Sequence, residues 1–134
     1  MKDNFRKGDI RKHYYTVTDA DVARFGSGVV HQVCSTFVLA REMEWAGRLF
    51  VLDMKEAGEE GIGTMVHIEH VAPALPGDTL FFEARSLSLE GNNLLCEIEV
   101  TTGGRLIAKG STGQKIVNKQ KIDRLIEKLK QDKI

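Results

Sequence analysis

The longest apolar segment of the chain covers residues 37–57 and predicts a buried helix. Its apolar side chains do not form one stripe; they occupy almost every side of the predicted helix. A helix of this kind is normally surrounded by protein rather than by water. Ser35 or Thr36 can cap its first turn by accepting hydrogen bonds from free backbone N–H groups. Gly58 and the glycine-rich residues 61–63 are expected to end it.

The second half of the chain alternates apolar and polar residues, which predicts strands. Four strands are expected, at residues 65–72, 79–89, 94–101 and 106–117. Short turns rich in Gly and Asn follow the second and third of them, so these strands should form hairpins in an antiparallel sheet. In the first strand, the alternation places Val66, Ile68, His70 and Ala72 on one face.

Weaker signals flank these elements. Residues 1–12 are rich in basic side chains and are expected to form a loosely held arm, and residues 12–17 are β-prone. Residues 18–25 begin with helix-capping side chains and predict a short helical turn that the next glycines interrupt. Asn118 can cap a final amphipathic helix over residues 118–134. Its apolar positions are Ile122, Leu125, Ile126 and Leu129.

One central helix and a run of hairpins predict an α+β fold, in which a curved antiparallel sheet wraps around the helix and a C-terminal helix is added. The 134 residues are enough for one domain, residues 1–134, with a core of its own. A single sheet cannot cover a helix that is apolar on nearly every side. We therefore expect a homodimer.

Composition excludes several classes of protein. The 19 basic and 19 acidic residues cancel, which argues against nucleic acid as a partner. No apolar run is long enough to span a membrane, and the first residues do not resemble a signal peptide, so a cytoplasmic protein without a membrane partner is expected. Cys34 and Cys96 are far apart and predict buried thiols. The histidine and cysteine spacings predict no metal and no cofactor.

Glu44 is the first candidate for chemistry, because it lies inside the apolar helix. Arg41 and Arg48 stand at helical spacing from it, and an ion pair with either one is the simpler interpretation. The alternative is a carboxylate in an apolar wall, which could act as a general base or a nucleophile.

His70 and Thr36 are the other two candidates. His70 should face the central helix, where Glu44 is its best-placed polar partner, although a histidine on an apolar face is commonly a hydrogen-bonded core group. Thr36 could cap the helix or hold a developing oxyanion near the helix N-terminus. Thr36 and Glu44 are separated by about 12 Å along a regular helix. Either the chain folds back near Thr36, or two subunits share one site.

Three segments, residues 34–46, 63–70 and 76–78, together resemble the hotdog-fold acyl-CoA thioesterases, most closely the fluoroacetyl-CoA thioesterase-like branch. The resemblance extends over residues 33–117. It implies that Thr36, Glu44 and His70 form the catalytic set and that Gly63 lies near the acyl group. The branch has a Thr-His-x-Arg stretch where this chain has residues 112–115, Thr-Gly-Gln-Lys. Lys115 is therefore the expected cation for a substrate phosphate or carbonyl.

The resemblance implies a thioesterase that hydrolyses a small or short-chain acyl-CoA to the free acid and coenzyme A. Glu44 would attack the thioester carbonyl or deprotonate a water that attacks it. Two alternatives stay open on the sequence alone. One is a non-catalytic acyl-CoA-binding or sensor protein. The other is an enoyl-CoA hydratase, although the aspartate that hydratases carry five residues before a histidine is missing here.

Overall fold

A computed structural model describes residues 1–133. The elements are β1 (Ile10–Thr16), a 3₁₀ turn (Asp19–Asp21), β2 (Val22–Phe25), β3 (Gly28–Cys34), α1 (Thr36–Met54), β4 (Glu59–His70), β5 (Thr79–Glu90), β6 (Asn93–Thr102), β7 (Arg105–Asn118) and α2 (Lys119–Gln131). Five strands form one antiparallel sheet in the order β1-β5-β6-β7-β4, and two more form a separate hairpin, β2-β3. The sheet packs around α1, so the predicted fold is confirmed.

The central helix begins where the sequence predicted and ends earlier. Ser35 is its N-cap, and the Ser35 hydroxyl accepts a hydrogen bond of 3.1 Å from the backbone N–H of Val38. The helix ends at Met54 rather than at residue 57. One side of the helix fills the core with Leu39, Met43, Ala46, Phe50 and Val51, all buried.

The glycines at 61 and 63 were expected to end this helix, and that prediction is wrong. Both lie inside β4, which begins at Glu59. A side chain at either position would collide with α1. A Cβ added at Gly61 would lie 2.6 Å from the Val51 Cγ1 atom, and one at Gly63 would lie 2.0 Å from the Glu44 Oε1 atom. These glycines let the strand approach the helix closely.

The region after β1 also differs from the prediction. The helical turn expected over residues 18–25 is only the 3₁₀ turn Asp19–Asp21, and the chain then continues as β2. β2 pairs with β3 to form a hairpin that the sequence did not predict. Most of β3 is exposed, so it carries no alternation between a buried and an exposed face.

The two ends of the chain are attached to the rest of the fold. In the segment predicted as an arm, the backbone N–H of Lys2 donates to the Met54 carbonyl, that of Gly8 donates to the Ser86 carbonyl, and β1 starts at Ile10. At the other end, the Asn118 side chain caps α2 as predicted, accepting from Lys121. Ile134, the last residue of the predicted range, lies outside the described residues. No helix within residues 1–133 is long and apolar enough to cross a membrane.

Part of the molecule is left uncovered by its own chain. On α1, Phe37 is 76% exposed, Trp45 42% and Leu52 39%. β4 is an edge strand of the sheet and carries exposed Met65 and Val66. An apolar helix face and an open strand edge are two surfaces through which a second subunit can pack.

Candidate active site

Thr36 and His70 form a direct pair. The Thr36 Oγ1 atom and the His70 Nδ1 atom are 2.9 Å apart, within hydrogen-bonding distance. Thr36 is the first residue of α1, and Ser35 takes the capping role that Thr36 could have filled. The Thr36 hydroxyl is therefore available to His70, which is the last residue of β4. When the hydroxyl donates, Nδ1 is the unprotonated nitrogen and can act as a base toward it.

The other ring nitrogen of His70, Nε2, is buried and has no hydrogen-bond partner within residues 1–133. The prediction that His70 pairs with Glu44 is wrong for a single chain, because the hydrogen bond of His70 goes to Thr36. α1 is continuous from Thr36 to Met54, so the chain does not fold back to bring the two ends of the site together.

Glu44 lies about two turns further along α1, against Gly63 of β4. A β-bulge at Thr64 interrupts the pairing of β4 with β7 directly after Gly63. A bulge changes which residues of a strand face the helix. It lets Gly63 face α1 on one side of the bulge and Ile68 and His70 face it on the other.

The ion pair that offered the simpler interpretation of Glu44 is not formed. Arg41 pairs instead with Glu42, with 2.9 Å between its Nε atom and a carboxylate oxygen. Arg48 pairs with Glu60 at 2.7 Å. Within the part of the chain that the structure describes, the Glu44 carboxylate has no hydrogen bond or ion pair. A half-buried carboxylate without such a partner is free to contact substrate or water.

Residues of the candidate site line two cavities. Glu44 lines a pocket of about 480 Å³. Its other lining residues are His13, Arg41, Glu42, Trp45, Arg48, Gly61, Gly63 and Gln114. Thr36 lines a second, mainly apolar cavity of about 700 Å³ between the 3₁₀ turn, β2 and the start of α1, where Phe25 and Phe37 also lie. Arg41 borders both cavities.

Lys115 lies on the opposite face of the sheet from Glu44. Its neighbour Gln114 is buried and faces α1, whereas Lys115 is exposed. Lys115 is paired with Ile62 on β4, next to Gly63. In a single chain, this position suits a contact with an anionic group outside the sheet and does not reach a carbonyl beside Glu44.

The two cysteines are buried thiols, as predicted. Burial raises the pKa of Cys34 to about 11, and the carboxylate of Asp21 adds to this effect. Burial raises the pKa of Cys96 to about 12. Both pKa values lie above that of an ordinary thiol, so neither cysteine is an activated nucleophile near neutral pH.

Sequence reasoning missed two features of the pocket. Gln114 is only 3% exposed, and its side-chain Nε2 donates to the backbone carbonyl of Glu44 at 3.3 Å. The signal was present, since alternation along β7 places this amide between the buried Thr112 and Ile116. His13 and Glu42 form a half-buried pair at 3.0 Å. These two residues are far apart in sequence, so no local pattern joins them.

Comparison with known proteins identifies the family. Residues 17–120 match the family model described as fluoroacetyl-CoA-specific thioesterase. The chain belongs to this family. The resemblance noted in the sequence is confirmed, and the protein is an acyl-CoA thioester hydrolase. Family membership favours hydrolysis over the non-catalytic and hydratase alternatives.

Three known proteins match over nearly the whole chain. The fluoroacetyl-CoA thioesterase of Streptantibioticus cattleyicolor is 26% identical over 92% of this chain and 93% of its own. A Thermus thermophilus protein described as a thioesterase superfamily member is 37% identical, with a TM-score of 0.92 over 95% and 94% of the two chains. A hot-dog-like protein from Thermanaerovibrio acidaminovorans has a TM-score of 0.85 at 18% identity over 92% of each chain, which supports the fold alone.

Proposed function

We propose that this enzyme hydrolyses the thioester of a small or short-chain acyl-CoA, using Thr36, Glu44 and His70. The observation that carries the proposal is the arrangement of these three groups. Thr36 and His70 are hydrogen-bonded at the start of α1. The Glu44 carboxylate borders a pocket and forms no ion pair within residues 1–133. The similarity to the Streptantibioticus cattleyicolor fluoroacetyl-CoA thioesterase supports a small acyl group.

In this mechanism Glu44 either activates the nucleophile or is the nucleophile. It either deprotonates a water that adds to the thioester carbonyl, or it adds directly and forms an anhydride that water then hydrolyses. In both routes the carbon–sulfur bond breaks, the carbonyl carbon gains an oxygen from water, and the thiolate of coenzyme A takes a proton. A carboxylate held by Arg41 or Arg48 would be a weaker base, and both arginines are bound elsewhere.

Thr36 and His70 act on the other side of the carbonyl. The Thr36 hydroxyl lies at the first turn of α1, where backbone N–H groups and the helix dipole favour negative charge. In the proposal His70 is protonated at Nδ1 in this step and donates to the Thr36 oxygen, so that the single proton of the Thr36 hydroxyl is free to bond the carbonyl oxygen as charge develops there. The departing thiolate then takes a proton from the imidazolium of His70 through the Thr36 hydroxyl.

In the proposal, Glu44 comes from one subunit of a homodimer, and the Thr36–His70 pair comes from the other subunit. Thr36 and Glu44 are separated by about 12 Å of straight helix, which is too far for both to touch one carbonyl group. The exposed Phe37 and Trp45 on α1 and the open edge of β4 give a second subunit surfaces to cover. A partner packed there would bring its own Glu44 toward Thr36 and His70.

Gly63 and Lys115 have binding roles in the proposal. Gly63 has no side chain, which leaves room for the Glu44 carboxylate against β4, and in the proposal the acyl group lies near both. Lys115 binds a phosphate of coenzyme A at the outer surface of the sheet, where it is exposed. We place the enzyme in the cytoplasm, a reducing compartment in which Cys34 and Cys96 stay as thiols.

The experiment that tests the function is hydrolysis of an acyl-CoA panel, followed by release of free thiol. The panel contains acetyl-, fluoroacetyl-, propionyl-, butyryl-, hexanoyl- and palmitoyl-CoA. We expect kcat/KM to be highest for the short chains. Hydrolysis of none of these thioesters would contradict the function, and a maximum at palmitoyl-CoA would contradict the short-chain assignment.

A further inference from the structure

We propose that Gln114 is a positioning residue for Glu44. It holds the turn of α1 that carries the carboxylate and fixes that turn against β4 and β7. The inference rests on the proposed role of Glu44 and adds a residue that acts through it.

The central contact is the hydrogen bond from Gln114 to the helix backbone. The Gln114 Nε2 atom donates to the carbonyl oxygen of Glu44 at 3.3 Å. A carbonyl oxygen only accepts, so the amide nitrogen must be the group that faces it. Gln114 is 3% exposed, and water does not compete for this bond. The bond ties β7 to the helical residue whose carboxylate lies against Gly63.

The backbone of Gln114 holds the other side of the same pocket. In the sheet Gln114 is paired with Gly63 on β4 and with Leu94 on β6. A Cβ added at Gly61 would lie 3.5 Å from the Gln114 Oε1 atom, so the amide also packs beside β4. Gln114 is thus connected to both elements that set the distance between the Glu44 carboxylate and Gly63.

The residue type is informative at this position. Ile116, the next inward-facing residue of β7, is apolar and buried, as expected for a strand that packs on a core. Burying an amide costs free energy unless it is hydrogen-bonded. An apolar side chain of the same size would fill the space and leave the Glu44 turn without this attachment. A shift of about 1 Å in a catalytic group can cost about 100-fold in rate.

The test is Gln114→Met, which keeps the length of the side chain and removes the donor. We expect kcat for acyl-CoA hydrolysis to fall by at least about ten-fold, with KM changed by less than about two-fold. The matched control is Asn92→Leu. The Asn92 amide donates to the Ile116 carbonyl at 2.9 Å, two residues further along β7 than Gln114, and neither Asn92 nor Ile116 lines the pocket. Asn92→Leu should leave kcat within about two-fold of wild type. This result would show that losing a side-chain-to-backbone hydrogen bond does not by itself lower kcat.

A double variant separates positioning from general destabilisation. In the Glu44→Gln background, Gln114→Met should lower the residual kcat by less than about two-fold, because the group it positions is already gone. The same loss in both backgrounds would overturn the inference, as would wild-type kcat in Gln114→Met. Should the methionine variant fail to fold, Gln114→Asn keeps the amide on a stem too short to reach Glu44, and the same losses are expected.

These outcomes distinguish the inference from the proposed function. If Glu44→Gln loses turnover and Gln114→Met lowers kcat by the same factor in both backgrounds, the inference about Gln114 is overturned and the proposed role of Glu44 stands. Turnover near the wild-type value in Glu44→Gln overturns the role of Glu44 and, with it, the role of Gln114.

Discussion

The two ends of the candidate site differ in how their polar groups are held. At the start of α1, the Thr36 hydroxyl and the His70 ring are bonded to each other at 2.9 Å within one chain. Further along the same helix, the Glu44 carboxylate lies against Gly63 and makes no hydrogen bond or ion pair within residues 1–133. One end is a completed pair, and the other is a single group facing an open pocket.

This difference suggests that the two ends of the site act on substrate in different ways. A hydrogen-bonded hydroxyl and imidazole are oriented before substrate arrives, as positioning for catalysis requires. A carboxylate without protein partners is free to bind a water or to meet a substrate carbonyl. The comparison therefore predicts that the largest losses of activity come from the free carboxylate, and smaller ones from groups that only shape its surroundings.

The largest effect is expected from Glu44→Gln. The amide keeps the size of the side chain and removes the base, so kcat should fall by about 10²- to 10⁴-fold. The protein should stay folded, because neither Arg41 nor Arg48 depends on Glu44. Steady-state kinetics and a thermal melt measure both quantities.

The control for this variant is Glu60→Gln, which removes a nearby carboxylate that does form an ion pair with Arg48. It should lower the free energy of unfolding by at most about 1 kcal/mol and leave kcat within a few-fold. A Glu44→Gln variant that behaves in the same way would place Glu44 among the structural carboxylates.

Gly63→Ala should have the next largest effect. Its methyl group would lie 2.0 Å from the Glu44 Oε1 atom, so the carboxylate has to move. We expect a loss of about 100-fold in kcat, the typical cost of a misplaced catalytic group. Gly58→Ala is the control, because a Cβ there meets nothing within 4 Å. Equal kcat values for the two variants would show that the position of Glu44 against Gly63 does not matter.

Lys115→Ala should act on binding rather than on the chemical step. An exposed cation that contacts a phosphate contributes about 1 kcal/mol, so KM should rise by about five-fold with little change in kcat. Lys109→Ala is the control, since Lys109 is exposed on the same strand and pairs with Glu69. A large fall in kcat at constant KM would move Lys115 into the chemical step.

The smallest effect is expected from Cys34→Ala. With its pKa raised to about 11, only about one Cys34 thiol in a thousand is ionised at pH 8. The turnover number should stay within about two-fold of wild type across the pH range of 6 to 9. A loss of 100-fold or more would make Cys34 a competitor of Glu44 for the role of nucleophile.

The sequence was a good guide to the regular elements. The alternation in residues 94–101 and 106–117 requires a sheet with one buried face, and β6 and β7 have it. The β2–β3 hairpin could not be found in this way, because most of β3 is exposed and alternation is absent. Gly61 and Gly63 were misleading for another reason. Glycine ends helices and also permits close approach of a strand, and only the neighbouring helix distinguishes the two roles.

The candidate site was predictable in its residues and not in its pairings. Helical spacing suggested that Glu44 pairs with Arg41 or Arg48, but two other carboxylates, Glu42 and Glu60, bind these arginines in the fold. The position of His70 at the end of β4 decides that it meets Thr36 instead of Glu44. Such pairings depend on where a strand ends relative to a helix, and periodicity does not contain that information.

Mixing two inactive variants tests the central claim most directly. Glu44→Gln and His70→Ala are each purified, unfolded together and refolded as a random mixture. If Thr36 and His70 of one subunit work with Glu44 of the other, half of the dimers are mixed and each mixed dimer has one complete site. The account predicts recovery of about a quarter of the wild-type kcat. A mixture as inactive as the separate variants, with mixed dimers confirmed by mass spectrometry, would contradict a site shared between subunits.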